Sequence, residues 1–256
     1  MELRRILSYA RRAVDDYQMI EEGDRIAVGI SGGKDSLALL CALAGLRRFY
    51  AKRFELMAIT IDMGFPTPVD YAPIEALCRE LDVPYHIKKT DIATIIFDIR
   101  KEKSPCALCS KMRRGVLHNT ARELGCNTVA LGHHFDDVVN TFMLNLFYEG
   151  RLGCFEPISY LDRAKVKIIR PLLYMPEKDV RYFAKREELP VIASPCPADG
   201  NTERANMEKL MMDLEKMSKG LRQRVFCAIQ KGEIDGFRRF PKRPPRLAIP
   251  DEGDKQ

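Results

Sequence analysis

A short turn with two glycines is the first place in the sequence where residue types and spacing suggest chemistry. Residues 31–36 read Ser-Gly-Gly-Lys-Asp-Ser, between the apolar run 25–30 and a stretch with helical spacing. Glycines let the backbone approach a ligand closely, and the free N–H groups at the start of a helix attract anions. The turn therefore predicts a cradle for phosphate. It is neither a Walker A loop nor a dinucleotide-binding turn, since both require other glycine spacings. An ordinary strand-to-helix turn would explain the glycines but not the lysine and serines.

Three of the eight cysteines have a spacing or a setting that favours metal binding. Cys106 and Cys109 form a C-x2-C pair behind Pro105, at the start of a predicted helix, where the helix dipole favours thiolate. Cys196 lies in Ser-Pro-Cys-Pro, which argues against a helix or a central strand. Three thiolates leave one position of an iron–sulfur cluster free for chemistry. The pair alone would also suit a redox dithiol, a zinc site or two unrelated cysteines.

The other five cysteines lie in apolar helical or loop contexts, which predict buried and unreactive side chains. They are Cys41, Cys78, Cys126, Cys154 and Cys227. The cysteine content is too low for a disulfide scaffold, and the charged N-terminus lacks the apolar segment of a secretory signal. No window of 18 apolar residues predicts a membrane span. We therefore expect a cytoplasmic protein with reduced thiols.

Acidic and histidine residues near strand ends are the candidates for binding magnesium and phosphate. Asp35 lies in the glycine turn, and His133, His134, Asp136 and Asp137 follow a short apolar strand. Magnesium prefers oxygen ligands. Because neighbouring helical residues point about 100° apart, we expect only one of the two adjacent aspartates to bind the ion. The other would be a solvated carboxylate at a helix N-terminus. One of the histidines is expected to contact phosphate, and a satisfied loop histidine is the alternative.

Strands and helices that could position these residues alternate along the chain. Strands are predicted at 25–30, 54–62, 84–88, 127–131, 166–169 and 190–193, and helices at 3–20, 37–48, 71–81, 108–124, 136–147 and 176–189. Residues 91–105 give an ambiguous pattern. The alternation predicts an α/β fold with an open, mostly parallel, doubly wound sheet and helical additions at both ends. Such sheets bind ligands at the carboxyl ends of their strands.

The composition is that of a globular protein, with 46% hydrophobic and 30% charged residues, which excludes disordered, collagen-like and membrane-embedded chains. We divide the chain into an N-terminal helix (1–22), a nucleotide-binding domain that carries the cysteine site (23–200), C-terminal helices (201–231) and a basic, proline-rich tail (232–256).

Positive charge is concentrated around the cysteine pair. The net charge of +6 permits a nucleic-acid partner without requiring one. Lysine and arginine dominate residues 101–122, and phosphates of an RNA backbone would be attracted there. The residues predicted to contact RNA are Lys111, Arg113, Arg114 and Arg170. A second basic group comprises Arg238, Arg239, Lys242, Arg243 and Arg246 in the tail, where a solvated charged surface is the simpler interpretation.

The glycine turn resembles the PP-loop, S-G-G-x-D-S, of the ATP pyrophosphatase superfamily. With the other motifs, the chain resembles the TtcA family, which makes 2-thiocytidine in tRNA. The matching stretches are 31–36, 106–115 (Cys-Ala-Leu-Cys-Ser-Lys-Met-Arg-Arg-Gly), 131–137 (Leu-Gly-His-His-Phe-Asp-Asp), 145–148 (Asn-Leu-Phe-Tyr), 169–172 (Ile-Arg-Pro-Leu) and the lone Cys196. They extend over residues 25–200, most of the chain.

The resemblance implies a role for each group of residues. Cys106, Cys109 and Cys196 would bind a [4Fe–4S] cluster whose free iron carries the sulfur, and Asp35 and Asp137 would bind Mg²⁺. These five residues are the implied catalytic set. The residues implied to bind ATP are Ser31, Gly32, Gly33, Lys34, Asp35, Ser36, Asp62, Gly132 and His133.

The implied activity is that of an ATP-dependent tRNA sulfurtransferase. It would adenylate C2 of a cytidine, at position 32 of the anticodon loop, and replace the oxygen by sulfur. The implied partners are tRNA, a sulfur donor (a cysteine desulfurase or free sulfide) and a second copy in a homodimer, with no membrane. Cys196 is followed by Pro-Ala-Asp, without the second cysteine that some relatives have there, so three protein ligands fit better than four. The chain also lacks the terminal zinc-finger pairs of the 2-thiouridine synthetases, which favours the cytidine branch.

Two other functions remain open at this point. One is a different PP-loop ATP pyrophosphatase that adenylates another tRNA base or a small molecule, with zinc at the cysteines. The other is a non-catalytic, cluster-bearing protein that binds tRNA or senses redox state on a degenerate nucleotide-binding fold. The intact turn at residues 31–36 argues against the second.

Overall fold

The computed structural model describes residues 3–101, 105–197, 203–232 and 234. The strands are β1 (Asp24–Ile30), β2 (Phe54–Asp62), β3 (Tyr85–Lys89), β4 (Thr128–Ala130), β5 (Ile158–Leu161) and β6 (Val166–Ile169). The helices are α1 (Leu3–Tyr17), α2 (Lys34–Arg47), α3 (Ala72–Glu80), α4 (Ile92–Thr94), α5 (Pro105–Glu123), α6 (Phe135–Tyr148), α7 (Glu177–Arg186), α8 (Glu203–Met217) and α9 (Leu221–Lys231). A π-helical turn at Ile95–Ile99 continues α4.

The six strands form one sheet in the order β3-β2-β1-β4-β6-β5. All neighbouring pairs are parallel except β5 and β6, which are antiparallel. This confirms the predicted α/β fold with an open, mostly parallel sheet. The order of strands reverses between β1 and β4, and a crevice opens beyond the carboxyl ends of the strands at such a point. The glycine turn follows β1 and the stretch from Gly132 to Asp137 follows β4, so both meet at this crevice.

Apolar residues pack on both faces of the sheet. On one face, α2 is almost entirely buried, because it lies between the sheet and α1; Leu39 and Leu43 are fully buried. On the other face, Ile96 and Leu117 of the segment from α4 to α5 pack against Ile59 of β2. The parallel strands are therefore covered on both sides, as a doubly wound sheet requires.

Helices at both ends of the chain join the larger of these two cores. Ile6 and Val14 of α1 are buried there, as are Met211 of α8 and Ile229 of α9. Gly220, at φ +77°, separates α8 from α9 within the predicted C-terminal helical region. The predicted tail, apart from residues 232 and 234, lies outside the described residues. None of the described helices is long and apolar enough to cross a membrane.

Two segments differ from the sequence-based prediction. Residues 190–193 do not form the predicted strand; the Ile192 N–H donates to the Gly32 carbonyl oxygen at 2.9 Å, so the segment covers the glycine turn instead of extending the sheet. Strand β5 was not predicted; it is a short edge strand whose pairing depends on β6 rather than on its own apolar pattern. Neither difference changes the strand ends that form the crevice.

Candidate active site

A cavity of about 590 Å³ lies at the crevice between β1 and β4. Of the residues predicted to form the site, those that line it are Ser31, Gly33, Asp35, Ser36, Asp62, Cys106, Cys109, Arg113, Arg114, Gly132, His133, Asp137 and Cys196. The predicted residues that are not among its lining are Gly32, Lys34, Lys111 and Arg170. The structure thus brings the nucleotide-binding candidates and all three cysteines into one space, although they come from distant parts of the chain.

The hydroxyl of Ser36 organises the glycine turn. It donates to the Gly33 carbonyl oxygen at 2.8 Å and accepts from the Ser31 N–H at 3.1 Å. The Ser31 hydroxyl donates to it at 3.2 Å and accepts from the Gly33 N–H at 3.3 Å. These bonds hold the turn at the N-terminus of α2, where the helix dipole favours an anionic ligand. In this structure the two serines therefore shape the phosphate cradle through hydrogen bonds within the turn.

At two positions in the glycine turn and after β4, the close approach of other parts of the chain requires glycine. Gly32 has φ +82°, a conformation that other residues rarely adopt, and it lies under Ile192. A Cβ on Gly132 would lie 2.9 Å from the backbone carbon and oxygen of Asp35. Only glycine allows the chain after β4 to pass so close to the start of α2. This contact places His133 and Asp137 beside the phosphate cradle.

Lys34 is oriented differently from the expectation for a direct phosphate ligand. Its ammonium lies 3.0 Å from Glu177 and 3.2 Å from Asp35, and Glu177 also pairs with Arg181 at 2.9 Å. Burial alone would raise the pKa of Glu177, but its bonds to Arg181 and Lys34 outweigh burial and lower the pKa to about 2. In this structure Lys34 ties α7 to the turn, and contact with ATP remains a prediction.

Asp35 and Asp137 lie on either side of His134. The His134 Nε2 atom is 3.7 Å from Asp35 Oδ1 and 3.6 Å from Asp137 Oδ2. The Asp35 Oδ1 atom is buried and has no hydrogen-bond partner among the described residues. A buried carboxylate oxygen without a partner is costly, and a cation bound there would satisfy it. Two carboxylates at the mouth of a phosphate cradle fit Mg²⁺, which keeps several water ligands.

The neighbouring Asp136 points away from the cavity. Its Oδ1 atom lies 2.6 Å from the Arg222 guanidinium, and its Oδ2 atom accepts from the Glu177 N–H at 2.7 Å. Both side chains of the ion pair are only 12% exposed. Asp136 is therefore a buried anchor for α9, not the solvated carboxylate that was one of the expectations. Of the two adjacent aspartates, Asp137 is the one that lines the cavity.

The cysteine pair lies on the cavity face of α5. Cys106, Cys109, Arg113 and Arg114 line the cavity because their spacing places them on one side of the helix. Burial raises the pKa of the Cys109 thiol, Arg113 acts in the opposite direction, and the nearby Cys196 and Cys106 raise it further. The third cysteine is thus close enough to act electrostatically on Cys109.

The three thiols line one cavity, an arrangement that fits the ligands of an iron–sulfur cluster. Within the described ranges, no three His, Cys, Asp or Glu side chains are grouped tightly enough to hold one ion. A [4Fe–4S] cluster is held by thiolates on different irons, so its ligands surround a space instead of meeting at one point. Cys106, Cys109 and Cys196 around a common cavity meet that requirement.

His133, which lines the cavity, and Arg170, which does not, both pack against Phe155. The ring of Phe155 is 4.9 Å from that of His133, and the Arg170 guanidinium lies 5.0 Å from the centre of the Phe155 ring. Burial lowers the pKa of His133 well below its ordinary value, and the Arg170 charge lowers it further. His133 is therefore neutral at pH 7. Burial lowers the pKa of Arg170 to about 10, and this side chain lies over Phe155 and donates to the Glu156 carbonyl oxygen, so it is not among the residues that line the cavity.

Four of the five remaining cysteines are buried as predicted, and Cys227 is half-buried. Burial raises the pKa of Cys41 and Cys154 to about 12 and that of Cys78 to about 11. These thiols stay protonated at neutral pH and are poor ligands.

A charged cavity residue, Arg204, was not predicted from the sequence. Arg204, in the first turn of α8, lines the cavity and pairs with Asp137 at 3.2 Å. No local spacing could have identified it, because its partner lies 67 positions earlier in the chain. Tyr71 and Phe65 also line the cavity near Asp62, where they add aromatic surface for a nucleobase.

The chain is similar to known proteins over most of its length. Residues 6–215 match a family model described as a PP-loop domain. The tRNA-cytidine(32) 2-sulfurtransferase of Geobacter sulfurreducens is 40% identical over 229 residues, which cover 88% of this chain and 89% of the relative. That of Syntrophotalea carbinolica is 42% identical over 232 residues, covering 88% of each chain.

A solved structure shows the same architecture with a cluster. The U34-tRNA thiolase NcsA from Methanococcus maripaludis, solved with its [4Fe-4S] cluster, superposes with a TM-score of 0.74 at 26% identity. The match covers 88% of this chain and 76% of the thiolase. The chain therefore belongs to the PP-loop family and, within it, to the family of tRNA-cytidine(32) 2-sulfurtransferases.

Proposed function

We propose that this protein is an ATP-dependent tRNA sulfurtransferase that converts a cytidine, at position 32 of the anticodon loop, into 2-thiocytidine. The observation that carries the proposal is the shared cavity: the phosphate cradle at residues 31–36 and the three cysteines line one space. A PP-loop enzyme that only adenylates its substrate has no need of three thiols beside the nucleotide. The sulfurtransferase relatives support the same reading.

In the first step, the C2 oxygen of the cytidine attacks the α-phosphorus of ATP. The new bond joins that oxygen to phosphorus, and the bond from the α-phosphorus to the bridging oxygen breaks, so pyrophosphate leaves. The backbone N–H groups of the glycine turn hold the departing phosphates. Asp35 and Asp137 would hold a Mg²⁺ ion, whose positive charge would offset that of the phosphates.

In the second step, a sulfur nucleophile attacks C2, the bond from C2 to the adenylated oxygen breaks, and AMP leaves. Cys106, Cys109 and Cys196 would hold the [4Fe–4S] cluster, which supplies an iron with a free coordination position for sulfur. The chain positions the nucleobase between these thiols and the phosphate cradle. Burial, and secondarily the Arg170 charge, lower the pKa of His133 in the free protein, which favours a neutral imidazole that can donate or accept a hydrogen bond.

The substrate tRNA is bound by the basic side chains next to the cysteines. Arg113 and Arg114 line the cavity, and Lys111 lies exposed on the same helix. Arginine and lysine bind the phosphate backbone, and a base of the anticodon loop can be unstacked into a pocket at low cost. The further partners in this proposal are a cysteine desulfurase or free sulfide as donor, and a second copy in a cytoplasmic homodimer.

The proposal is tested on anaerobically purified protein. We expect about four irons and four acid-labile sulfides per chain, as a [4Fe–4S] cluster contains. With tRNA, ATP, Mg²⁺ and sulfide, the protein should form 2-thiocytidine, detected by mass spectrometry of the digested tRNA. Cys106→Ala and Cys196→Ala should lose both iron and product. Cys227→Ser is the matched control, because Cys227 lies on α9 and is not among the cavity residues.

Two outcomes would overturn the proposal. Full thiolation by Cys106→Ala without iron would remove the cluster from the reaction. Stoichiometric zinc without iron after anaerobic reconstitution, together with pyrophosphate release in the absence of tRNA, would favour an adenylating enzyme with another substrate.

A further inference from the structure

The two C-terminal helices contact both members of the aspartate pair on α6. Arg222 of α9 pairs with Asp136, and Arg204 of α8 pairs with Asp137. The first pair is buried and reinforced, since Arg222 also contacts Glu208 of α8 at 2.9 Å. The second pair lies at the cavity, where the Arg204 side chain is 53% exposed and Asp137 is 19% exposed. The buried pair joins α9 to α6, whereas in the second pair the half-exposed guanidinium holds only the Oδ1 atom of Asp137, whose Oδ2 atom accepts from the His134 N–H at 3.0 Å.

The position of Arg204 is unfavourable for stability alone. It lies in the first turn of α8, where the helix dipole disfavours a positive charge. A half-exposed ion pair stabilises a fold only slightly. A cation placed there at a cost, and aimed into the cavity, is better explained by a ligand than by folding.

The charge of the nucleotide supplies that explanation. A bound triphosphate brings several negative charges to the cradle, but the nearest lysine, Lys34, is already paired with Glu177 and Asp35. Arg113 and Arg114 line the cavity from α5, beside the cysteines. Arg204 is the arginine that lies next to Asp137, where Mg²⁺ would bind. When the ion takes Asp137, the guanidinium loses its partner and is left facing the phosphates.

We propose that Arg204 is a catalytic residue of the adenylation step, which exchanges Asp137 for a phosphate oxygen of ATP when Mg²⁺ binds. Before the nucleotide arrives, the ion pair keeps Asp137 occupied. Afterwards, Arg204 stabilises the charge that develops as the α-phosphorus is attacked and pyrophosphate leaves. The inference rests on the proposed function, because it assigns Arg204 to that reaction.

Metal binding without nucleotide or tRNA tests the exchange directly. Mn²⁺, followed by electron paramagnetic resonance, is titrated into the wild-type protein and into Arg204→Gln; the signal lost in Asp137→Asn identifies the site. Removing the competing guanidinium should lower the Mn²⁺ dissociation constant about two- to fivefold, the range expected for an exposed ion pair. Lys209→Gln is the matched control, since it removes one exposed positive charge from the same helix and should leave Mn²⁺ binding unchanged.

Single-turnover pyrophosphate release tests the catalytic role. Arg204→Gln should slow it about 10²- to 10³-fold, as loss of one charge-stabilising donor does, and Arg204→Lys should recover part of the rate. A rate within twofold of wild type, or Mn²⁺ binding that is unchanged or weaker, overturns the inference. Thermal melting of each variant shows whether a loss of rate reflects unfolding. If the wild-type protein releases pyrophosphate but forms no 2-thiocytidine, the proposed function fails while the Arg204 comparison still stands.

Discussion

At the scale of single residues, adjacent aspartates on one helix have opposite tasks. Asp136 is turned inward to Arg222, and Asp137 is turned toward the cavity, His134 and Arg204. The helical rotation between consecutive residues is enough to separate a buried structural carboxylate from one that lines the cavity. Their sequence contexts are nearly identical, so only the partners distinguish them.

We predict that asparagine at these two positions has opposite effects. Asp136→Asn should lower the free energy of unfolding by about 1–3 kcal/mol, because it removes the carboxylate of a buried ion pair and leaves Arg222 with Glu208 as its counter-charge. Asp137→Asn should change stability by less than about 1 kcal/mol but slow pyrophosphate release by about 10² or more. Urea denaturation and the release assay on both variants check this. An inactive but fully stable Asp136→Asn would contradict the assignment of Asp136 as an anchor.

A second prediction at the scale of single residues concerns Gly132. Gly132→Ala should cost about 1–3 kcal/mol of stability and weaken ATP binding, because the new methyl group meets the Asp35 backbone at 2.9 Å. Gly115→Ala is the control. A Cβ at Gly115 meets nothing within 4 Å on helix α5, so that change should stabilise the protein by about 0.5–1 kcal/mol. Melting temperatures and ATP titration measure both, and equal effects would argue against close approach as the reason for Gly132.

At the scale of elements, α7 is linked to the phosphate cradle by charge. Glu177, at the start of α7, holds Lys34 at the start of α2 and is bonded to Arg181 one turn further on. The segment after α7 then crosses the glycine turn, where Ile192 bonds Gly32 and leads to Cys196. One connection thus positions both the lysine of the turn and the third cysteine.

We predict a pH-dependent stability contribution from Glu177. Its pKa is lowered to about 2 in the folded protein, so its contribution is fully present above the unfolded value of 4.5 and is lost as the pH falls toward 2. Glu177→Gln should therefore cost up to about 3 kcal/mol at pH 7, with a difference that shrinks below pH 4.5. Urea denaturation from pH 7 down to about pH 3 measures it, and the loss should begin near pH 4.5.

A matched variant on the same helix isolates this effect. Glu187 pairs with Arg186 only at 3.9 Å, and its side chain is 43% exposed. Glu187→Gln should change stability by less than about 0.5 kcal/mol at any pH in that range. A cost for Glu177→Gln that stays constant from pH 7 to pH 3 would show that the carboxylate does not act through its charge.

At the scale of the whole molecule, the sheet brings three distant regions to one crevice. The strand order reverses between β1 and β4, so the turn at 31–36 and the stretch 132–137 meet there. Helix α5 and the segment around Cys196, which come from other parts of the chain, complete the lining of the cavity. Positive charge from α5 then surrounds the entrance on the cysteine side, where a tRNA loop would approach.

We predict that tRNA binding depends strongly on salt and that two arginines of α5 account for part of this. The double variant Arg113→Gln, Arg114→Gln should reduce the slope of log K against log salt by about 1.4 to 1.8, the value for two lost phosphate contacts. Fluorescence anisotropy with labelled tRNA at several salt concentrations measures the slope. Replacing Arg47 and Arg48, which lie at the end of α2 away from the cavity residues, should leave it unchanged. Equal slopes for the two double variants would exclude α5 as the RNA-binding surface.

Much of the fold and the ingredients of the site were predictable from local sequence. The alternation of apolar runs predicted β2 and β6 at their observed bounds, because a buried parallel strand is a continuous apolar segment. The glycine turn and the C-x2-C pair were also predictable from local sequence, because the chemistry expected of each depends on residues that lie close together along the chain. Strand β5 was missed because an edge strand depends on its neighbour.

The partners of the charged residues were decided only by the tertiary structure. Lys34 pairs with Glu177, Asp136 with Arg222 and Asp137 with Arg204, and in the last two pairs the partners lie 86 and 67 positions apart. The local sequence around Lys34, Asp136 and Asp137 does not indicate which residues will be their counter-charges. Sequence spacing determines which groups each element can present, whereas packing of the elements determines which groups meet, since ion pairs form over a few ångströms in space at any separation along the chain.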